Sequence, residues 1–257
     1  MLGETRVQQL LHTALALSTA DETEVSLSAA DESLTRFANN AIHQNVSDSD
    51  AVVEVRAVVG KRVGAAGSND FSPGSLARAV HAACESARYQ PDNPDFPGLP
   101  PPRPVPAVKS FDDSAASASP DLRARAVSHI CRAAAHAGAV AAGAYSTAAI
   151  EAAVANSRGL WAYHPSTSVD LTLVIAHGDR TGYAHGTSWR LDRVDTASIT
   201  DAALRRALQH ADRPARRLPP GDYPVILEPY AVADIIESLA AEGMGASLAC
   251  AVKATPE

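Results

Sequence analysis

One alternating stretch in the first third of the chain constrains the fold more than any other feature. Residues 51–60 read A-V-V-E-V-R-A-V-V-G, with every second position apolar. A period of two is typical of a β-strand with one well-buried face. Asp48-Ser49-Asp50 before it indicates a turn, and Gly60-Lys61-Arg62 after it suits a tight reversal. We therefore predict that residues 33–69 form a meander of three or four consecutive strands.

Five other segments have the apolar spacing of amphipathic helices, with apolar residues three and four positions apart. Two have clear start signals, because Ser72 precedes Pro73 and Ser119 precedes Pro120. Serine caps a helix, and proline fits its first turn. The predicted helices cover residues 5–18, 72–88, 119–137, 195–211 and 229–243. The predicted inner face of the third helix consists of Leu122, Ala126, Ile130, Ala133 and Ala137.

The second half of the chain is again rich in strand patterns. Strands are predicted at residues 23–29 in the first half and at 140–145, 149–156, 169–175, 181–189 and 225–227 in the second. Short connections between them favour antiparallel pairing. We therefore predict an α+β fold with two layered α/antiparallel-β subdomains, joined by a proline-rich segment and followed by the start of a C-terminal domain.

The subdomain boundary is predicted from proline density. Residues 91–106 contain eight of the 17 prolines, which no helix or central strand tolerates. The predicted divisions are an N-terminal domain at residues 1–90, a linker at 91–118, a central domain at 119–217 and the beginning of a truncated C-terminal domain at 218–257.

Charge and cysteine usage limit the partners and the compartment. The net charge of -7 argues against nucleic acid as the main partner, because phosphate binding needs a basic surface. Three cysteines without a C-x-x-C pair fit a reducing compartment. The first residues are too polar for a signal peptide, and no run of about 18 apolar residues is present. We expect a cytoplasmic protein with no membrane partner.

No motif of a known catalytic site is complete in this chain. No His precedes a Glu, so H-E-x-x-H is absent, and neither G-x-S-x-G nor a phosphate-binding loop is found. His164, His177 and His185 come from neighbouring strands and could converge, but roles in turns are the more frequent ones. We therefore predict no catalytic residue and no metal ligand in this chain.

A polar segment lies inside the strand pattern of the first half. Arg36, Asn39, Asn40 and Gln44 carry a guanidinium and three amides that could bind the backbone of an extended peptide. The alternative is that they cap turns or face solvent, which is the more frequent role for such residues.

Four blocks, in this order, resemble the TldD/PmbA family, in which PmbA is also called TldE. The blocks are R-F-A-N-N-A-I-H-Q at residues 36–44; residues 55–68 with the next helix; N-S-R-G-L-W-A-Y at 156–163 with T-G-Y-A-H-G-T-S at 181–188; and L-P-P-G-D-Y-P-V-I-L-E-P at 218–229 with the helix after it. The resemblance covers nearly the whole chain, to about Ala241.

This resemblance implies a cytoplasmic metallopeptidase that acts on small or unfolded polypeptides as a TldD–TldE pair. The TldD type carries a zinc motif, H-E-x-x-x-H, in its C-terminal half, and the PmbA/TldE type lacks it. Residues 240–250 contain no His, which favours the PmbA/TldE type. The chain stops where the family's C-terminal domain begins, so we expect a truncated member.

The resemblance therefore implies a non-zinc-binding subunit with no cofactor of its own. Zinc is expected in a TldD-type partner, a polypeptide is the expected substrate, and Arg36, Asn39, Asn40 and Gln44 are the expected substrate-facing residues. The alternative from another class is a stand-alone polypeptide-binding module without a proteolytic role. A third hypothesis is a non-functional remnant.

Overall fold

The computed structural model describes residues 1–209 and 217–243 of the chain. Residues 1–209 form one compact unit, and the last helix belongs to a second unit. The elements are α1 (Glu4–Ala16), β1 (Glu22–Ala38), β2 (Ala41–Val59), β3 (Arg62–Ser68), α2 (Pro73–Tyr89), α3 (Asp113–Ala116), α4 (Pro120–His136), β4 (Val140–Asn156), β5 (Trp161–His177), β6 (Arg180–Ser188), a 3₁₀ helix (Leu191–Arg193), α5 (Thr196–Leu208) and α6 (Pro229–Gly243).

The six strands form a single antiparallel sheet in the order β3-β2-β1-β4-β5-β6. The predicted α+β class and the antiparallel pairing are confirmed. The sheet is continuous through both predicted subdomains, because β1 pairs with β4 from Glu24 opposite Asn156 to Phe37 opposite Gly143. The two subdomains are therefore two halves of one sheet, which the local sequence pattern did not predict.

The strands are longer than predicted. The turn expected at Asp48–Asp50 is wrong: these residues continue β2 and lie opposite Glu32 to Ala30 of β1. The break expected between residues 145 and 149 lies inside β4, which pairs with strands on both sides. Residues 225–227, predicted as a strand, are not one.

The two halves have the same arrangement of elements. The first is α1-β1-β2-β3-α2 and the second is α4-β4-β5-β6-α5. Both outer hairpins contain the pattern G-x-R-x-G, from Gly60 to Gly64 and from Gly178 to Gly182. A Cβ at Gly64 would lie 2.2 Å from the Ala87 backbone nitrogen, and one at Gly182 would lie 2.0 Å from the Ala203 carbonyl oxygen. Each half thus packs a helix directly onto the sheet backbone at an equivalent glycine.

Each half has its own hydrophobic cluster, and both clusters lie on the same face of the sheet. In the first half, α1 and α2 cover Val25, Val53 and Val55; in the second, α4 and α5 cover Leu171 and Leu173. The opposite face, formed by the even-numbered residues of β1, β2, β4 and β5, carries none of the helices found in residues 1–209. We call it the open face.

The inner face of α4 differs from the prediction. Its buried residues are Arg123, Val127, Ile130, Cys131 and Ala134. The predicted inner face is displaced from the observed one by about one residue. The prediction failed because alanines occupy both faces of this helix, so the hydrophobic pattern does not distinguish the faces. The start of the helix is confirmed, since the Ser119 hydroxyl accepts a hydrogen bond from the Leu122 N–H at 3.2 Å.

The proline-rich residues 91–112, which we call the proline arm, lie along the sheet. The Leu99 N–H donates to Glu22 Oε2 at 2.7 Å, and Asn156 Nδ2 donates to the Pro100 carbonyl at 2.8 Å. The arm then reaches β5, where the Thr167 N–H donates to the Ser110 carbonyl at 2.9 Å. The predicted linker, residues 91–118, is therefore bound to both halves, and its residues 113–116 form α3.

The predicted bounds of the last helices hold in part. α5 begins after the cap Asp195 and ends at Leu208, and residues 210–216 lie outside the described residues. α6 begins at Pro229 and ends at Gly243 as predicted. Residues 244–257 of the predicted C-terminal domain also lie outside the described residues. Among the described helices, none is long and apolar enough to cross a membrane.

Candidate functional site

The turn between β1 and β2 holds two of the four predicted substrate-facing residues. Asn39 and Asn40 have φ values of 52° and 59°, a left-handed conformation that asparagine tolerates better than most residues. The Asn40 side chain donates to the Ala139 carbonyl at 2.9 Å and accepts from the Ala141 N–H at 2.7 Å. Its amide is thus engaged in fixing the hairpin to β4, whereas Asn39 is exposed at the tip.

The other two predicted residues lie opposite each other on the open face. Arg36 of β1 is paired in register with Gln44 of β2, and Arg36 Nη1 donates to Gln44 Oε1 at 3.4 Å. The next open-face pairs along the hairpin are Leu34 with Val46 and Glu32 with Asp48. The hairpin therefore presents a basic and amide pair, an apolar pair and an acidic pair in sequence.

These pairs form one wall of a groove of about 500 Å³ on the open face. Ser146, Ala148 and Ile150 of β4 and Ser168 of β5 continue the groove across the sheet. Apart from Ile150 these side chains are small, so the backbone of an extended chain could approach the sheet beside Ser146, Ala148 and Ser168. Only the pairing of β4 with β1 places these residues beside Arg36.

The groove offers recognition groups and no catalytic constellation. Its polar side chains can donate to peptide carbonyls through Arg36 and Gln44 and accept from peptide N–H groups through Gln44, Ser146 and Ser168. Glu32 and Asp48 place negative charge toward one end, and Arg36 places positive charge toward the other. Such an arrangement can orient an extended polypeptide.

A buried carboxylate lies behind the sheet where the two halves meet. Glu151 of β4 is 0% exposed and accepts from the Leu2 N–H at 2.5 Å, the Gly3 N–H at 2.7 Å and the Tyr163 hydroxyl at 2.6 Å. Burial acts to raise the pKa of Glu151, but these three hydrogen bonds together hold it below its usual value. Sequence reasoning missed this residue, because its partners lie far away in the chain.

The three histidines considered from sequence have separate environments. His164 Nε2 lies 2.8 Å from the Ser110 hydroxyl, and His185 Nε2 lies 2.6 Å from Asp170 Oδ2. His164 and His177 are thirteen positions apart on one strand, roughly 43 Å at the usual rise, so all three cannot converge. No group of three or more His, Cys, Asp or Glu in residues 1–209 and 217–243 could hold a metal ion.

Comparison with protein families gives two matches that follow each other along the chain. The family model described as PmbA/TldA metallopeptidase domain 1 matches residues 23–87. The model described as PmbA/TldA metallopeptidase central domain matches residues 95–211. No protein of curated function matches the sequence.

Three solved structures share the fold at low sequence identity. TldE from Thermococcus kodakarensis is 19% identical with a TM-score of 0.67, and the match covers 78% of this chain and 47% of that one. A proposed modulator of DNA gyrase from Bacteroides thetaiotaomicron is 18% identical with a TM-score of 0.69, over 81% and 50%. Another from Thermotoga maritima is 14% identical with a TM-score of 0.77, over 91% and 54%. The chain thus spans about half the length of these proteins.

Proposed function

Because this chain belongs to the PmbA/TldD family of metallopeptidases, we propose that it is the PmbA/TldE-like, non-zinc-binding subunit of a TldD/TldE-type enzyme. In this proposal the pair degrades or processes small or unfolded polypeptides, and this chain binds the polypeptide. The assembly is placed in the cytoplasm, as the family resemblance implies.

The observation that carries the proposal is the groove on the open face. Arg36 and Gln44 lie opposite each other in its wall, and Ser146 and Ser168 add hydroxyls to its floor. Guanidinium and amide groups bind peptide backbone without regard to sequence, which suits unfolded chains of varied composition. Asn39 is exposed beside the groove and belongs to the proposal, whereas the engaged amide of Asn40 gives it the role of holding the hairpin.

The zinc of the family does not fit the described residues. The histidines of β5 and β6 are too far apart to converge, and none of the residues that line the groove is a histidine or a cysteine. Zinc in proteins is usually held by three or four converging nitrogen, sulfur or oxygen ligands. We therefore assign the zinc of the proposed enzyme to a TldD-type partner and derive no chemical step from this chain.

The alternative is a stand-alone polypeptide-binding module, and the same groove supports it. The two functions differ in whether a zinc-bearing partner is needed. The first experiment measures zinc content and casein hydrolysis for this chain, for a TldD-type protein and for their mixture. Activity that requires the mixture is expected; polypeptide binding without any gain in activity would favour the stand-alone module.

A second experiment tests the groove. The double variant Arg36→Ala and Gln44→Ala should weaken binding of a reduced, unfolded polypeptide by roughly tenfold, because it removes the two groups that reach the peptide backbone. Arg125→Ala, which changes an exposed arginine of α4 on the other side of the sheet, is the matched control. Equal binding by the double variant and the control would overturn the role of the groove.

A further inference from the structure

The outer strands of the sheet leave two free edges. β3 pairs with β2 only from Val53 onward, and β6 pairs with β5 only from Val169 onward. The earlier part of each longer strand, residues 41–52 of β2 and 161–168 of β5, therefore has a strand on one side only, within the part of the chain that the structure describes. The two free edges occupy equivalent positions in the two halves.

The free edge of β5 is already bound by an extended segment. Besides the Thr167–Ser110 backbone bond, the Ser110 hydroxyl donates to the Pro165 carbonyl at 3.2 Å, and the Asp112 N–H donates to Thr167 Oγ1 at 3.0 Å. The arm runs in the same direction as β5, since Pro100 binds near its beginning and Ser110 binds near Thr167. The chain thus places one of its own segments along this edge, with one backbone–backbone hydrogen bond and further bonds that involve side chains.

The free edge of β2 has no corresponding segment among residues 1–209. All ten residues from 41 to 50 are exposed, including Ile42 and Val46. The strand contains no proline there, and it continues the wall of the groove through Gln44, Val46 and Asp48. An exposed strand edge presents unpaired N–H and C=O groups that can pair with another strand.

This edge carries negatively charged side chains, which would favour binding of positively charged extended chains. Asp48 and Asp50 are two positions apart on the open face, and Glu32 lies opposite Asp48. A strand added beside β2 would place every second side chain next to these carboxylates. Like charges at such positions disfavour pairing, and opposite charges favour it.

We propose that residues 41–52 of β2 bind the substrate polypeptide as an added strand and select extended segments with Lys or Arg at alternate positions. This inference rests on the proposed function and specifies its substrate class. The added strand continues the sheet, and its side chains lie beside the groove that contains Arg36 and Gln44.

The test measures peptide affinity together with backbone hydrogen exchange. The probes are a short peptide in which Lys alternates with Val, the same peptide with Glu for Lys, and the Lys peptide methylated on alternate backbone nitrogens. We expect the Lys peptide to bind about tenfold more tightly than the other two at low salt. Binding should slow hydrogen exchange in residues 41–52.

Charge reversal provides the matched variants. Asp48→Lys together with Asp50→Lys should weaken binding of the Lys peptide by about tenfold and strengthen binding of the Glu peptide. Asp201→Lys, which changes an exposed residue of α5, should alter neither. Equal binding of the Lys and Glu peptides, or unchanged binding of the methylated peptide, would overturn the inference.

The outcomes separate this inference from the proposed function. One outcome is that the Arg36 and Gln44 double variant loses peptide binding while peptide bound to the wild-type chain leaves hydrogen exchange in residues 41–52 unchanged. That result would support the groove and refute the added strand. Protection of residues 41–52 with full affinity in that double variant would do the reverse. Protection that appears without peptide and rises with protein concentration would show strand pairing between two copies, which also overturns the inference.

Discussion

The two halves of the sheet share the order of their elements but differ in what lies along their free edges. In the second half the proline arm binds β5 through Ser110 and Asp112, whereas in the first half residues 41–50 of β2 are exposed. The difference arises in the connecting chain and not in the repeated units. A repeated unit can therefore keep its packing while a linker decides which edge stays available for binding.

The largest predicted effect tests whether the two halves are equivalent in their packing. Gly64→Ala and Gly182→Ala should each lower the free energy of unfolding by about 3 kcal/mol, because a Cβ there overlaps the backbone of α2 or α5. Denaturant unfolding measures both. Gly74→Ala is the control, since its Cβ would meet only the end of the Arg78 side chain at 3.6 Å. A large effect at only one of the two sites would break the equivalence.

The second prediction compares the asparagines of the two inner hairpins. Asn156→Ala and Asn40→Ala should each cost about 2 kcal/mol of unfolding free energy, because each leaves backbone partners without a hydrogen bond. Only Asn156→Ala should also make the proline arm more sensitive to proteases, since its side chain holds the Pro100 carbonyl. Limited proteolysis distinguishes them, with Asn69→Ala, which changes an exposed asparagine, as the control. Equal arm cleavage in both variants would contradict this difference.

The third prediction concerns Glu151, which lies where the halves meet. Its pKa is lowered on folding from the model-peptide value of 4.5, so the stability that it adds is present above that value and is lost as the pH falls through the folded pKa. Glu151→Gln should lower the unfolding free energy by about 2 kcal/mol at neutral pH, because a buried hydrogen-bonded carboxylate is removed.

The pH dependence of unfolding is the measurement for Glu151. The difference in unfolding free energy between wild type and Glu151→Gln should become smaller as the pH falls below 4.5. Glu32→Gln, which alters an exposed carboxylate of β1 and leaves Glu151 in place, should retain the wild-type loss of stability at low pH. If this difference in unfolding free energy does not change with pH, the charge of Glu151 does not stabilise the contact between the two halves.

The smallest predicted effects come from ion pairs on the open face. Arg56 Nη2 lies 2.7 Å from Glu24 Oε1 in the first half, and His185 is paired with Asp170 in the second. Arg56→Ala and His185→Ala should each change the unfolding free energy by less than about 1 kcal/mol, since solvent screens partly exposed pairs. Thermal unfolding measures this. A much larger loss at either site would show that the open face contributes to stability as well as to binding.

Local signals predicted much of the fold. The capping pairs Ser72-Pro73 and Ser119-Pro120 marked the starts of α2 and α4, and Gly60-Lys61 marked the β2–β3 hairpin. These signals depend on residues within one turn of each other, so they can be identified without the rest of the fold. The polar residues 48–50 led to a wrong prediction of a turn. They lie in a strand that is exposed to solvent on both faces, where polar residues are tolerated.

The candidate site was predicted only in part. Arg36 and Gln44 were identified from residue chemistry, and the structure places them opposite each other at the wall of a groove. The role of Asn40 depends on the backbone of Ala139 and Ala141, about a hundred positions away. Ser146, Ala148 and Ser168 join the groove only through the β1–β4 and β4–β5 pairings. No local pattern contains that information.

The sequence by itself determined where five of the helices lie and which parts of the chain are rich in strands, although it divided β2 and β4 wrongly and misassigned residues 225–227. The tertiary structure decided that the two sets of strands form one sheet, that the proline arm binds the edge of β5, and that the edge of β2 is exposed. The physical reason is that side-chain periodicity is a short-range property, whereas strand register depends on complementarity between faces that are distant in the chain. In this protein, the residues proposed to bind polypeptide meet only through that long-range pairing.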